Sequence, residues 1–437
     1  MKFVSTRSPG KYVTFQEAVF QGLAPDGGLY VPASNLDLKS AFLKLNSKSS
    51  FVDCAATIAM PLLKDDLSPE AIQRVLERAF PFSPILRGLT NEISILELFH
   101  GPSAAFKDFG ASFLASVMEE FLKDSGQRAV ILTATSGDTG SAVATAFHNR
   151  KNIDVVILYP SGRVSPLQEK QLTTLGGNVI ALEVKGSFDD CQRMVKEAFT
   201  NSKLQKLLPL TSANSISLGR LIPQSFYYVW AFAQLRETLH DELIYCVPSG
   251  NFGNLTAGIY SWKWGLPITS FVAATNSNDV VPEYLESGVY KPRPSVLTYS
   301  NAMDVGTPSN FERLEYLFQK SVHQIRTLVQ GDRVGDADTL ATMKRIHDTY
   351  EYDLCPHTAV GYLAAERLLK GPMNGSGHVI VLGTAHPGKF LEVVEKATGR
   401  IPELPASLRN LMDKEKKSTV IENTLEDLSA FLIKNLV

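Results

Sequence analysis

A chain of 437 residues with 44% hydrophobic and 20% charged residues can bury a substantial core, which excludes general disorder and suggests about three domains or subdomains. Its 43 basic and 45 acidic side chains leave a formal charge of −2 without a strongly basic block, so nucleic acid is not expected as a partner. Four scattered cysteines (Cys54, Cys191, Cys246, Cys355) form no Cys-x-x-Cys pair, and no window approaches the ~20 apolar residues of a membrane span. Zinc ribbons, disulfide frameworks and membrane partners are set aside, and a soluble cytoplasmic protein is expected.

In chain order, the first 95 residues mix turn signals with helical patterns. The run Gly22-Leu-Ala-Pro-Asp-Gly-Gly-Leu-Tyr-Val-Pro32 predicts a turn-rich loop, because its prolines cannot continue a helix. Ser68-Pro-Glu-Ala predicts a capped helix start whose buried face carries Ile72, Val75 and Leu76. From about residue 96 the rhythm changes. Short Val- and Ile-rich runs at 129–133, 155–159, 179–184, 243–247, 271–274 and 379–382 read as buried strands. Helical patterns at 167–175 and 226–235 lie between them, and such alternation implies βαβ units and a mostly parallel sheet covered on both faces. Ligands in that architecture bind where strands end and helices begin. The mixed-sign run 413–417 reads as a solvated helix or linker. Near the end, Thr424 caps a helix with Leu425, Leu428, Phe431 and Leu432 on one face, predicted to pack on the body.

Three segments could carry chemistry. Two strand-to-helix turns, Ser136-Gly-Asp-Thr-Gly-Ser141 and Pro248-Ser-Gly-Asn-Phe-Gly-Asn254, combine glycine with small polar residues. Glycine lets the backbone approach a ligand, and free N–H groups at a helix start attract an anion. Neither turn is a Walker A loop or a Gly-x-Gly-x-x-Gly fingerprint, so a nucleotide is not indicated; a tight connection would use the same small residues. The third segment is His100-Gly-Pro-Ser-Ala-Ala-Phe-Lys-Asp-Phe-Gly110. Lys107 stands there at a predicted helix start beside an apolar face of Phe109, Phe113, Val117 and Phe121. Desolvation and a positive helix end both lower a lysine pKa, as a nucleophilic lysine requires. A surface lysine snorkelling past aromatic rings is the alternative. His357 and His386 have no ligand spacing, so no metal is expected, and no Gly-x-Ser-x-Gly elbow supports a serine triad.

Taken together these segments resemble the threonine synthase family, within the fold-type II (tryptophan-synthase-β-like) enzymes that use pyridoxal 5′-phosphate. The likeness, closest to the longer bacterial and fungal form, runs from Asp26-Gly-Gly-Leu-Tyr-Val-Pro32 through Glu97-Leu-Phe-His-Gly-Pro102, Phe106-Lys-Asp-Phe-Gly110, Leu132-Thr-Ala-Thr-Ser-Gly-Asp-Thr-Gly140, Ser165-Pro-Leu-Gln-Glu-Lys170, Ser212-Ala-Asn-Ser-Ile216, the 248–254 turn and Asn301-Ala-Met-Asp304 to Leu382-Gly-Thr-Ala-His-Pro387. Ser103-Ala104 departs from the family's usual Thr-Leu. The resemblance implies an α/β fold: two parallel-sheet subdomains, 96–235 and 236–437, behind an N-terminal domain, 1–95. It implies that Lys107 links covalently to the cofactor. Gly250, Asn251, Phe252, Gly253 and Asn254 would cradle the cofactor phosphate, Thr384 would face the pyridine nitrogen, and Asp138 would lie near the 3′ oxygen. Ser136, Gly137 and Thr139 would hold the substrate carboxylate. The implied lyase reaction, the last step of threonine biosynthesis, eliminates phosphate from Cγ of O-phospho-L-homoserine and adds water at Cβ, giving L-threonine.

A substrate phosphate requires a second anion site, for which Arg163, Lys170, Ser212, Asn214 and Ser215 are the candidates. The main alternative is a related phospho-lyase that releases 2-oxobutyrate. A serine/threonine dehydratase and a catalytically dead scaffold fit less well, given the long N-terminal segment, Asn301-Ala-Met-Asp304, and the intact Lys107 and Thr384. The expected assembly is a monomer or homodimer without an added regulatory module.

Overall fold

In the computed structural model, which describes residues 1–240, 242–371 and 377–437, β-strands gather into one parallel sheet, one mostly parallel sheet and one small ribbon. The ribbon pairs β1 (Phe3–Ser5) with β2 (Tyr30–Pro32). The larger sheet holds β3 (Ile85–Gly88), β4 (Ile93–Glu97), β9 (Leu243–Pro248), β10 (Ser270–Thr275), β11 (Val329–Arg333) and β12 (His378–Gly383). Their spatial order is β11-β10-β9-β12-β4-β3, and β3 alone runs antiparallel. The smaller sheet holds β5 (Ala129–Ala134), β6 (Ile153–Pro160), β7 (Val179–Lys185), β8 (Leu210–Thr211) and β13 (Thr419–Glu422). It is all parallel, in the order β13-β7-β6-β5-β8.

The central strands β4, β5, β9 and β12 are buried nearly throughout, because helices cover both faces and alternation of apolar with polar residues is not required. The edges differ: β13 exposes Thr419, Val420 and Glu422, and β3 is mostly exposed. All six predicted strands are present, with boundaries within two residues of those expected. The predicted helix 226–235 is the helix Gln224–Leu235, and 167–175 is Pro166–Thr173.

Chain order and spatial order diverge. Residues 85–97 complete the larger sheet, whereas the last strand and helix, Leu425–Leu436, pack on the smaller one. In that helix Thr424 accepts the Asp427 N–H, and Leu428, Leu432 and Leu436 are buried. Residues 415–417 of the mixed-charge segment form a connector without helix or strand, where Lys416 bonds Glu169 at 2.7 Å and Glu183 at 2.6 Å.

The N-terminal helices matter to the site through one aromatic cluster. Ser50 and Ser68 cap the helices Phe51–Leu63 and Pro69–Ala79, and Phe51 and Phe80 then meet Phe109 at 5.1 and 6.0 Å between ring centroids. Phe113 and Phe226 close the cluster against Phe80. These rings anchor the helix Lys107–Leu122, whose first residue is the candidate lysine. All four cysteines are buried free thiols, and among the described residues no helix is long and apolar enough to cross a membrane.

Candidate active site

Every candidate segment sits at the carboxyl end of a parallel strand, because a βαβ chain reverses there. Strands β9, β12 and β4 are neighbours in one sheet and deliver, in turn, the 248–254 turn, Thr384 and, through residues 98–106, Lys107. In the other sheet β5 delivers 136–139, β6 leads to Arg163 and β8 leads to 212–215.

The lysine loop is stitched to the β12 loop. Phe106 N–H donates to the Thr384 carbonyl at 2.9 Å, His386 N–H donates to the Ala104 carbonyl at 3.0 Å, and Ala105 bridges Ala385. Ala104 adopts φ 56°, a left-handed conformation rare for a residue with a side chain. The departure from the family's usual pair therefore falls on a strained, fully buried residue held by these contacts. Lys107 then opens its helix with 16% of its side chain exposed, its Nζ lying 3.3 Å from Asp138 Oδ2. Burial pushes its pKa down; Asp138 opposes this, while the charges of Lys389 and Arg220 add to the lowering, and the net direction is below the lysine range.

Asp138 begins the helix Asp138–Phe147, after Gly137 at φ 147°, where an added Cβ would strike the Gln168 side chain at 2.5 Å. Its second oxygen accepts from Lys389 Nζ at 2.8 Å and Gln168 Nε2 at 3.1 Å. Burial resists the charge, but Lys389 and then Lys107 outweigh it and hold the carboxyl below the usual range. Asp138 is therefore a carboxylate. Ser136 is exposed and Thr139 half-buried beside it.

The other turn carries a second strained residue, Phe252 at φ 60°, just before the helix Gly253–Lys263. The amide of Asn254 is oriented by two hydroxyls: Tyr227 and Tyr228 both donate to its Oδ1, at 2.7 and 2.8 Å. Its Nδ2 is buried and has no hydrogen-bond partner among the described residues. Gly250 packs so tightly on the 301–303 turn that a Cβ would lie 2.8 Å from Met303 Cα. Asn251 accepts from the Ser309 N–H and hydroxyl through Oδ1, and from the Asn310 N–H through its carbonyl.

Of the candidates for a second anion, Asn214 accepts the Thr133 hydroxyl at 2.7 Å, which leaves its NH2 group available, and Ser212 and Ser215 are half-buried nearby in the chain. Arg163 stands exposed, and Lys170 is turned to the Lys414 carbonyl. Six side chains that sequence reasoning did not place in the site complete the surroundings: Lys389, Arg220, Asp108, Tyr227, Tyr228 and His357. Arg220 is 3% exposed and Asp108 fully buried, and among the described residues neither the Arg220 Nε nor the Asp108 Oδ1 has a hydrogen-bond partner. His357 accepts the Ala302 N–H at Nε2, and burial pulls it down to about 3, so it is neutral. A charge inside an apolar run, as in Leu218-Gly-Arg-Leu-Ile222, was the one local signal for Arg220.

These features fit pyridoxal phosphate. Asn254 offers an unused buried donor beside a helix start for a phosphate, Gly250 lets that turn pack closely on the 301–303 turn, and a lysine of lowered pKa stands at the neighbouring strand end. Fold and site thus define a pyridoxal-phosphate-dependent enzyme of fold type II. The family model described as pyridoxal-phosphate dependent enzyme matches residues 82–384. Models described as threonine synthase N terminus and threonine synthase, C-terminal match 2–80 and 358–432. The chain belongs to the threonine synthase family. It is 42% identical to a threonine synthase of Haemophilus influenzae, with 100% of each chain covered, and 41% identical to that of Escherichia coli K12, covering 94% and 95%. The crystal structure of pyridoxal-phosphate-bound threonine synthase from Brucella melitensis superposes with a TM-score of 0.92 at 36% identity, covering 99% of this chain and 98% of that one.

Proposed function

We propose that the chain converts O-phospho-L-homoserine and water into L-threonine and phosphate, with Lys107 as its acid–base residue. The observation that carries this reading is the buried cluster in which Lys107 and Lys389 meet Asp138 and the charge of Arg220 acts on Lys107, set between two turns that present helix N-termini. Bound pyridoxal phosphate supplies the electron sink that makes protons along the substrate carbon chain removable. Lys107 holds the amine that takes the proton from Cα and moves a proton at Cβ, a task suited to a lysine of lowered pKa on a flexible stem. The Cγ–O bond breaks as phosphate leaves, water supplies the hydroxyl at Cβ, and a proton returns to Cα.

The N–H groups of Ser136 and Thr139 orient the substrate carboxylate at the start of the helix, and Gly137, whose own N–H donates to Thr135 Oγ1 at 3.0 Å, shapes the turn that presents them. Ser212, Asn214 and Ser215 hold the substrate phosphate, and the unpartnered Arg220 Nε gives that phosphate a buried cation. Arg163 and Lys170 act at the rim. Gly250, Asn251, Phe252, Gly253 and Asn254 hold the cofactor phosphate, and Thr384 faces the pyridine nitrogen. A hydroxyl at that nitrogen does not enforce a pyridinium, which suits charge that must pass toward Cγ. Four buried free thiols accord with a reducing cytoplasm, and one chain supplies both halves of the site, so a monomer or homodimer suffices.

The test is incubation of the purified chain with O-phospho-L-homoserine, counting products. Threonine and phosphate in equal amounts, lost in Lys107→Ala, are expected. Phosphate accompanied by 2-oxobutyrate would replace this reading with simple elimination. Arg163→Ala should raise KM with little change in kcat; no change in either removes Arg163 from the site.

A further inference from the structure

Asp138 is shared by two lysines. Lys389 Nζ reaches Oδ1 at 2.8 Å, and Lys107 Nζ reaches Oδ2 at 3.3 Å, so the shorter contact belongs to the lysine that has no part in the reaction proposed above. Lys389 has no side-chain exposure at all and also donates to the Ser103 carbonyl at 2.9 Å. It arises from the 387–389 turn, which His386 closes by accepting the Gly388 N–H at 3.0 Å. Its ammonium is wedged between the loop that precedes Lys107 and the helix that begins at Asp138.

A buried lysine facing a lone carboxylate is locked as an ammonium, because each ion stabilises the other in a medium of low dielectric. Such a Lys107 could neither attack an aldehyde nor accept a proton. We infer that Lys389 is a positioning residue: it occupies Asp138 and presents a fixed positive charge, so that Lys107 is left free to act as nucleophile and base. This rests on the reading of Lys107 given above.

The charged and titratable groups acting on Lys107 are few. Asp138 faces it from its helix, Lys389 from the 387–389 turn and Arg220 from the helix Leu218–Leu221. Asp108 lies next to it in sequence, and His357 comes from the helix Pro356–Lys370. His357 stays neutral. Lys389, Arg220 and Lys107 set three cations against the carboxylates Asp138 and Asp108, an excess that Lys107 relieves by releasing its proton. The lowered pKa of Lys107 agrees with this, since Lys389 contributes to the lowering while Asp138 opposes it.

The experiment compares full-length wild type, Lys389→Met and Lys389→Arg. Each is stripped of cofactor and mixed with pyridoxal phosphate from pH 6 to 10. Covalent capture is fixed with borohydride and located by peptide mass spectrometry, and the pH profile of kcat/KM is recorded alongside. Lys389→Met should move the capture midpoint and the acidic limb of the profile upward by about one pH unit, so that capture below the midpoint slows roughly tenfold. Lys389→Arg should keep the wild-type midpoint. The shift must survive in an Asp108→Asn background, which removes the neighbouring carboxylate as its source. An unmoved midpoint in Lys389→Met overturns the inference.

If Lys389→Met does not fold, Lys389→Met/Asp138→Asn buries no unpaired charge and is compared with Asp138→Asn alone. The double variant should show the higher midpoint, and equal midpoints overturn the inference. Lys107→Ala separates the two levels of the argument. Capture that persists there sinks the role of Lys107 itself, whereas capture lost there with an unmoved Lys389→Met midpoint sinks only the role of Lys389.

Discussion

Gly250→Ala offers a sharp test of the phosphate cradle. An added Cβ would lie 2.8 Å from Met303 Cα and 3.1 Å from the Ala302 carbonyl oxygen. Carbon atoms rest at about 3.5–4.0 Å, so the pair must separate by roughly 0.7 Å or more. Neither neighbour is a flexible side-chain end. Both are backbone of the 301–303 turn, which the Ala302 N–H to His357 Nε2 bond of 3.1 Å and the buried Met303 hold in place. The displacement must therefore pass to residues 250–254. Overpacking of this kind costs about 1–3 kcal/mol, and a cost expressed in the bound state weakens cofactor affinity by about 5- to 150-fold. Equilibrium titration with pyridoxal phosphate, followed by absorbance, reads the affinity; thermal denaturation reads the fold. Gly88→Ala serves as control, since nothing lies within 4 Å of its added Cβ. A Gly250→Ala protein with wild-type cofactor affinity would refute the placement of the cradle.

Three further outcomes follow from buried polar groups. Tyr228→Phe removes a hydroxyl that donates both to Asn254 Oδ1 and to the Asn254 carbonyl; it should weaken cofactor binding by about 1 kcal/mol, roughly fivefold, as Tyr227→Phe should to a similar extent, and a neutral double variant would show that the amide needs no orienting. Arg313, fully buried, donates to the carbonyls of Tyr30 and Ile216 and to Asn310 Oδ1, so Arg313→Met strands three acceptors and should lower stability to denaturant by about 3 kcal/mol or more. Asp108, raised by burial from 3.8 to about 6, binds its proton more tightly folded than unfolded. Its contribution is then fully present below pH 3.8 and is lost as pH rises to about 6, a loss of about 3 kcal/mol. Asp108→Asn should accordingly gain on wild type in urea as pH rises from 4 to 6.5, and a difference that stays constant with pH contradicts the burial argument.

The strands were legible because a sheet covered on both faces demands continuous apolar runs, and 129–133, 243–247 and 379–382 supply them. Serine and threonine caps at Ser68 and Thr424 were legible for an equally local reason. Membership of the sheets was not. A parallel edge accepts any strand whose connection can reach it, so residues 85–97 and 419–422 join sheets that their position along the chain does not suggest. The glycine turns and Lys107 stood out by composition. Lys389, Arg220, Tyr227 and Tyr228 did not, because each acts through a partner distant in sequence: Asp138 for Lys389, Lys107 for Arg220, and Asn254 for the tyrosines. A lysine two residues past His386-Pro387 is unremarkable until the fold shows that no part of its side chain reaches solvent.

The near-neutral balance of the whole chain conceals a local imbalance that determines what can bind. Around Lys107 the protein buries two further cations, Lys389 and Arg220, and two carboxyl groups, Asp138 and Asp108, the latter raised by burial to about 6. Unpaired positive charge in a medium of low dielectric is costly, and the unpartnered Arg220 Nε and Asn254 Nδ2 add unmet donors to that cost. Both costs fall when anions arrive. A cofactor phosphate at the 250–254 turn and a substrate carrying a carboxylate and a phosphate near 136–139 and 212–215 would meet these donors, whereas a neutral amino acid would leave the Arg220 Nε unmet. The same reasoning separates a phosphorylated substrate from its hydroxyl analogue: homoserine should bind far more weakly than its phosphate ester, and Arg220→Met should erase most of that preference. A homoserine inhibition constant against phosphohomoserine turnover as low as the KM for phosphohomoserine would mean that the buried cations serve the fold and not the choice of substrate.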